Sequence, residues 1–197
     1  MSIPIEPAAE HRSVAGTFAE RVRGVAPEAW DNQAPVPDWT ARDVVRHLLD
    51  WFPAFLADGA DLKLPLGPSV DNDPVAAWEH HAGAVQEILD DPATPGLTFA
   101  HPRLPEMPLD QAISRFYTND VFMHTWDLAR ATGQDERLDE DRCRELYEGM
   151  LPLDDVLRQS GQYGPKVAVP DHANWQTMLL GFIGRTPWPG STDERGA

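Results

Sequence analysis

Apolar side chains recur every three or four residues along most of the chain, and this spacing predicts α-helices. Prolines cluster between the apolar stretches. Each cluster marks a helix boundary, because proline lacks a backbone N–H and biases the residue before it away from helical geometry. Alternation typical of a strand is weak and occurs only around Lys166–Val169. The pattern therefore predicts an all-α protein with a short irregular C-terminal part.

End signals divide the helical stretches into five. Thr40 can cap the second helix, and Gly133 can end the fourth. Asp73, followed by Pro74 at the first helical position, can begin the third. Pro53 is expected to bend the second helix. The predicted helices cover about Pro7–Val25, Thr40–Gly59, Pro74–Leu89, Pro108–Thr132 and Asp139–Arg158.

The predicted fourth helix carries ionisable residues where its buried stripe should be. At about 100° per residue, six of its positions fall within one sector of the helix surface. The apolar and aromatic members of this set indicate that the sector points inward. Burying a carboxylate and an imidazole is costly unless they are paired, hydrogen-bonded or bound to a metal. The six positions are Ile113, Phe116, Tyr117, Asp120, His124 and Asp127.

His47 repeats this anomaly on the inward face of the second helix. On the fourth helix, Asp120 and His124 are four residues apart, so both side chains lie on one face about a turn apart. Two histidines and one carboxylate from two helices can bind one divalent metal and leave open positions, as in catalytic zinc sites; such ligands also suit iron or nickel. Asp127 is then available to accept the other ring N–H of a ligand histidine.

Spacing alone leaves other interpretations open. A single inward histidine is more often a core residue with a hydrogen-bond partner, and Asp120 with His124 can form a simple hydrogen-bonded pair. Cys143 shares a helical face with apolar residues and is interpreted as core packing, with a catalytic thiol as the alternative. The remaining five histidines are interpreted as surface or local hydrogen-bonding residues: His11, His80, His81, His101 and His172.

Composition narrows the class of protein. The 197 residues suit one domain, expected over residues 1–190 with a disordered tail over residues 191–197. Thirty-two acidic and 16 basic side chains give a formal net charge of −16, which disfavours nucleic acid and anionic membranes as partners. No signal peptide or membrane span is evident, so a cytoplasmic location is expected. A single cysteine excludes an internal disulfide framework.

Two segments carry a family resemblance. WTARDVVRHLLDW (Trp39–Trp51) and NDVFMHTWDLARATG (Asn119–Gly133) resemble motifs of the DinB-like superfamily. Their branch is the actinobacterial one related to the metal-binding domain of mycothiol-dependent maleylpyruvate isomerase. The closing stretch YGPKVAVPDHANWQTMLLGFIGRTPWP is similar to the end of other members of that branch.

The resemblance implies a four-helix bundle with down-up-up-down connectivity, here with an extra C-terminal helix and an irregular tail. A metal is expected between the helices. His47 matches the first histidine ligand, Asp120 the carboxylate ligand and His124 the second histidine. The isomerase has glutamate where this chain has Asp120, which is one methylene shorter. Trp39, Trp126 and Asp127 match positions of the family that have a structural role or support the ligands, and Tyr117 is a further candidate for such support.

The function that the resemblance implies is a metal-dependent transferase or isomerase. It would use a low-molecular-weight thiol such as mycothiol together with an electrophilic small molecule. Zinc is the expected metal, with nickel and iron as alternatives. A second hypothesis is a non-enzymatic metal or small-ligand binding protein. A third is a homodimer of structural role, in which the polar cluster is only a buried hydrogen-bond network.

Overall fold

The helices lie where the apolar spacing predicts them over most of the chain. A computed structural model describes residues 6–188, so the tail predicted over residues 191–197 lies outside the described residues. The all-α class is confirmed, and none of the described helices is long and apolar enough to cross a membrane. The helices are α1 (Pro7–Arg23), α2 (Ala41–Ala60), α3 (Pro74–Asp90), α4 (Leu109–Ala112), α5 (Asn119–Thr132), α6 (Glu140–Met150), α7 (Asp154–Gln159) and α8 (Trp175–Phe182).

The predicted end signals are present at three helices. The Thr40 side chain accepts a hydrogen bond from the backbone of Asp43, and the Asp43 carboxylate accepts one from the backbone of Thr40. This reciprocal capping satisfies two backbone donors at the start of α2. Asp73 caps α3 by accepting from Ala76 at 2.9 Å. Gly133 ends α5 with a φ of 68°, a left-handed conformation that glycine adopts without strain.

The fourth predicted helix spans the expected residues but is not a regular α-helix throughout. A π-helical segment, Ile113–Thr118, joins α4 to α5. A π turn holds more residues than an α turn, so it changes the angle between the residues before it and those after it. The sequence pattern treated the whole stretch as one α-helix, and this was wrong.

A short antiparallel strand pair precedes α4 and was not predicted. In it, Phe99 of β1 (Thr98–Phe99) lies opposite Met107 of β2 (Met107–Pro108). Three 3-10 turns complete the described elements: Pro27–Ala29, Thr94–Gly96 and Leu151–Leu153.

The chain divides into two compact units, one ending at Glu136 and the other beginning at Arg137. In the first unit, α1 packs against α3 and α5, and α2 packs against the same two helices. Phe18 and Trp78 meet in its core with ring centroids 4.4 Å apart. The expected down-up-up-down direction of these helices, and a single domain over residues 1–190, stay predictions.

The second unit contains α6, α7 and α8, and α6 packs against α8. Cys143 is fully buried on α6, and burial raises the pKa of its thiol to about 12. This thiol stays protonated at neutral pH, which agrees with core packing. Among the described residues, no strand forms around Lys166–Val169. The helix predicted over Asp139–Arg158 is interrupted by the 3-10 turn, and α8 lies where irregular structure was expected.

Candidate metal centre

Helices α2 and α5 bring the three predicted ligands together. His47 Nε2 of α2 lies 3.1 Å from Asp120 Oδ2, and His124 Nε2 lies 3.5 Å from Asp120 Oδ1. One donor atom from each residue lies within 4.8 Å of the other two. We refer to His47, Asp120 and His124 as the ligand cluster.

The ligand cluster fits a divalent metal in its donor atoms and in their separation. Nitrogen and oxygen ligands bind zinc at about 2.0–2.2 Å, so donors around a tetrahedral ion lie roughly 3.5 Å apart. The separations of His47 Nε2 and His124 Nε2 from the nearer Asp120 oxygen, 3.1 and 3.5 Å, are close to this value. Burial is graded across the cluster: the side chain of His124 is 8% exposed, that of Asp120 19% and that of His47 31%. The cluster is therefore closed on the His124 side and open on the His47 side.

Asp127 orients the buried histidine. Its Oδ2 accepts a hydrogen bond from His124 Nδ1 at 2.8 Å, and the Asp127 side chain is almost fully buried. This is the contact expected of Asp127. It places the proton of the imidazole on Nδ1, so the Nε2 lone pair faces the Asp120 carboxylate. Two acceptors at 3.5 Å repel each other unless a proton or a metal cation lies between them. This arrangement is typical of a metal-binding histidine.

Two tryptophans complete the surroundings of the ligand cluster. Trp51 Nε1 donates a hydrogen bond to Asp120 Oδ2 at 3.0 Å. The Trp39 ring lies 4.8 Å from that of His47 and 5.7 Å from that of His124, measured between centroids. In the sequence, Trp51 stands out only as the last residue of the motif Trp39–Trp51, and no contact with Asp120 was predicted for it. Its position four residues after His47, on the same face of α2, was the available signal.

The Asp120 carboxyl is held in its ionised form. Burial would raise its pKa, but the electrostatic effect of the His124 imidazole and the hydrogen bonds from His47 and Trp51 outweigh burial, and the pKa lies below its ordinary value. A carboxylate is the form that a metal ligand requires.

Tyr117 and Trp126, which were also predicted to support the ligands, make their main contacts with other residues. The Tyr117 ring stacks on Phe52 with centroids 4.0 Å apart, and its buried hydroxyl has no hydrogen-bond partner in residues 6–188. Burial, with a smaller contribution from the charge of Asp120, raises the pKa of Tyr117 well above 10. Trp126 is buried, and the Arg130 guanidinium lies 4.7 Å from its ring centroid.

Two of the five remaining histidines are buried, so their interpretation as surface or local residues was wrong. His11 is 1% exposed, and its Nδ1 lies 3.0 Å from Gln86 Oε1 on α3. His81 is 9% exposed, and burial lowers its pKa to about 4. His80 makes the expected local contact, with Nε2 3.1 Å from the carbonyl oxygen of Leu66.

A cavity of about 470 Å³ lies on the open side of the ligand cluster. His47, Trp39 and Trp51 line it together with charged residues of α2 and of the turn before it. A molecule in this cavity has direct access to His47, while the other two ligands lie deeper.

Comparison with known proteins gives a family match over most of the first unit. The model of the "Mycothiol maleylpyruvate isomerase N-terminal domain" matches residues 11–129, which include the whole ligand cluster. Two curated relatives, uncharacterized proteins of Mycobacterium tuberculosis strains H37Rv and CDC 1551, are each 30% identical over 185 residues. The match covers 92% of this chain and 99% of each relative. No solved structure matches the chain significantly.

Proposed function

Because the chain belongs to the mycothiol maleylpyruvate isomerase N-terminal domain family, which is mycothiol-related and metal-binding, we propose that it is a metal-dependent transferase or isomerase. It would use a low-molecular-weight thiol such as mycothiol and an electrophilic small molecule. Zinc is the metal that we expect at the ligand cluster. A cytoplasmic location and a homodimer stay predictions.

The observation that carries this proposal is the ligand cluster with its supporting hydrogen bonds. His47, Asp120 and His124 supply three donors and leave the side toward the cavity open. Three protein ligands with an open position are characteristic of catalytic rather than structural zinc sites. A bound divalent metal lowers the pKa of a coordinating thiol, so that thiolate is available near neutral pH.

The residues around the ligand cluster have separate tasks in this proposal. Asp127 holds His124 in the tautomer that presents Nε2. Trp51 holds one oxygen of Asp120 and so limits rotation of the carboxylate. Trp39 covers the two imidazoles and keeps water away from one side of them. The cavity then receives the organic parts of the reactants.

Substitution of the ligands tests the metal site. His47→Ala, Asp120→Ala and His124→Ala should each lower the metal content of the purified protein from about one equivalent to a small fraction of it. The reason is that removing one of three protein ligands weakens binding strongly. Metal content is measured by elemental analysis of protein whose folding is verified by circular dichroism.

Three control variants should retain the metal. His80→Ala and His172→Ala remove histidines outside the cluster, and Cys143→Ser removes the buried thiol of the second unit. Stoichiometric metal in all three ligand variants would show that the metal binds outside the ligand cluster. Metal binding without an effect of any thiol would instead favour the non-enzymatic binding protein.

A further inference from the structure

The cavity beside the ligand cluster is bordered mainly by negative charge. Its charged lining side chains are Asp38, Asp43, Asp50 and Arg46. Asp38 and Asp50 are exposed, and no ion-pair partner within the described residues neutralises either of them. A molecule in the cavity thus faces three carboxylates and one guanidinium.

Arg46 is already engaged and offers little to an anionic ligand. One of its terminal nitrogens pairs with Asp43 and the other with Asp71. Asp43 is firmly ionised: burial tends to raise its pKa, but hydrogen bonds from Thr40 and the charges of Arg46 and Arg42 lower it below its ordinary value. The two nitrogens that recognise a carboxylate in bidentate geometry are therefore occupied within the protein.

The charge of a bound metal would not reverse the excess of negative charge at the cavity. A divalent ion has two positive charges, and Asp120 together with one thiolate supplies two negative ones. The centre is then neutral overall, so the carboxylates at the cavity edge determine the sign of the local potential. The rings of Trp39 and Trp51, which also line the cavity, suit uncharged or cationic groups.

We propose that this cavity selects a neutral or cationic second substrate and discriminates against carboxylates. The inference rests on the proposed function, since it concerns the group that lies beside a thiol at the ligand cluster. It follows from the three carboxylates that line the cavity and from the engagement of Arg46, the one arginine or lysine among the described residues that line it. A substrate with one or two carboxylates would meet repulsion without a guanidinium to bind it.

Three two-carbon thiols test the charge preference on cobalt-loaded protein. Cysteamine, 2-mercaptoethanol and thioglycolate carry a cationic, a neutral and an anionic group at the same distance from sulfur. Their dissociation constants are measured from the cobalt absorption spectrum at low ionic strength. We expect cysteamine to bind about tenfold more tightly than thioglycolate, and we expect added salt to reduce this ratio because it screens exposed charges.

Matched variants separate the effect of the cavity from the different acidities of the thiols. Asp38→Asn combined with Asp50→Asn should lower the preference for cysteamine over thioglycolate, expressed as the ratio of their affinities, to about a third of its wild-type value or less. Asparagine is suitable at position 38 because it tolerates the left-handed backbone there, where φ is 65°. Asp58→Asn combined with Glu87→Gln removes the same charge from exposed residues that do not line the cavity, and should leave the ratio unchanged.

The outcomes distinguish the two proposals. If no thiol alters the cobalt spectrum, the proposed thiol chemistry fails and the charge preference fails with it. If the thiols bind but the ratio is the same in the wild type and in the Asp38 and Asp50 double variant, only the charge preference is overturned. A ratio that falls in that double variant and not in the control supports both.

Discussion

At the residue scale, the position of Asp120 depends on two contacts from α2, one from a residue that spacing singled out and one from a residue that it did not. Its Oδ2 atom lies 3.1 Å from His47 Nε2 and accepts a hydrogen bond from Trp51 at 3.0 Å. Spacing placed His47, Asp120 and His124 on inward faces correctly, because a helix of known period fixes the direction of each side chain. It did not distinguish a tryptophan that donates to a ligand from one that only fills space.

Trp51→Phe should lower the metal affinity by about tenfold while the fold is preserved. The ring remains, but Asp120 loses the donor that limits its rotation, and loss of such a supporting contact typically costs 10–100-fold. The affinity is measured by competition with a chromophoric chelator.

Trp78→Phe is the matched control for this substitution. Trp78 is fully buried, and its indole nitrogen has no hydrogen-bond partner among the described residues. The control should lower the free energy of unfolding without changing the metal affinity. Equal losses of affinity in both variants would indicate a general packing effect and contradict the role given to Trp51.

At the element scale, predictions succeeded where periodicity and end signals agreed. The starts of α2 and α3 and the end of α5 follow from single capping residues, each of which forms the expected hydrogen bond or left-handed turn. The missed elements lack a visible periodicity, although Asn174 caps α8 by accepting a hydrogen bond from the backbone of Thr177. The segment WQTMLLGF of α8 is apolar on most sides, so it shows no amphipathic stripe. The strand pair has only two residues in each strand, too few for an alternation to be visible.

Near the end of α2, the packing of Phe99 requires a residue without a side chain at position 59. A β-carbon there would lie 2.1–2.7 Å from atoms of the buried Phe99 ring. Gly59→Ala should therefore lower the free energy of unfolding by about 1–3 kcal/mol, the usual cost of overpacking. Urea denaturation of the metal-free protein measures the change.

In the neighbouring helix α3, Gly83→Ala should raise the free energy of unfolding and so serves as the control for Gly59→Ala. Gly83 is exposed in α3, and nothing lies within 4 Å of the position of its absent β-carbon. Alanine there should stabilise the protein by roughly 0.5–1 kcal/mol because it favours the helix more than glycine does. A neutral or stabilising Gly59→Ala would show that Phe99 can move at little cost.

At the scale of the whole molecule, the buried histidines couple stability to acid. Burial lowers the pKa of His81 to about 4 and also lowers that of His11. In the unfolded chain a histidine titrates near 6.5. Between these values the unfolded chain binds a proton at His81 that the folded protein does not bind. The free energy of unfolding therefore decreases as the pH falls from about 6.5 to about 4.

His81→Gln should reduce this acid sensitivity. With about 1.4 kcal/mol per pKa unit, His81 accounts for up to about 3 kcal/mol of the loss. The free energy of unfolding is measured in urea at pH 7 and pH 4.5, with a chelator present so that metal binding does not contribute. His80→Gln, at the adjacent and half-exposed position, should keep the wild-type dependence. A variant at position 81 with an unchanged pH profile would show that His81 accepts its proton in the folded protein.

The π-helical segment Ile113–Thr118 has a consequence for changes in chain length. It sets the angle between the aromatic residues Phe116 and Tyr117 and the ligand residues that follow in α5. Six π-helical residues complete roughly the same total rotation as five α-helical residues, because a π turn holds about one residue more than an α turn. Deleting one residue from this segment would therefore restore a regular α-helix while the residues before it keep their direction relative to Asp120 and His124. A one-residue gap at this point in an alignment of relatives would mark the loss of the π segment with the metal ligands still in place, whereas the same gap elsewhere in α5 would turn the ligands by about 100°.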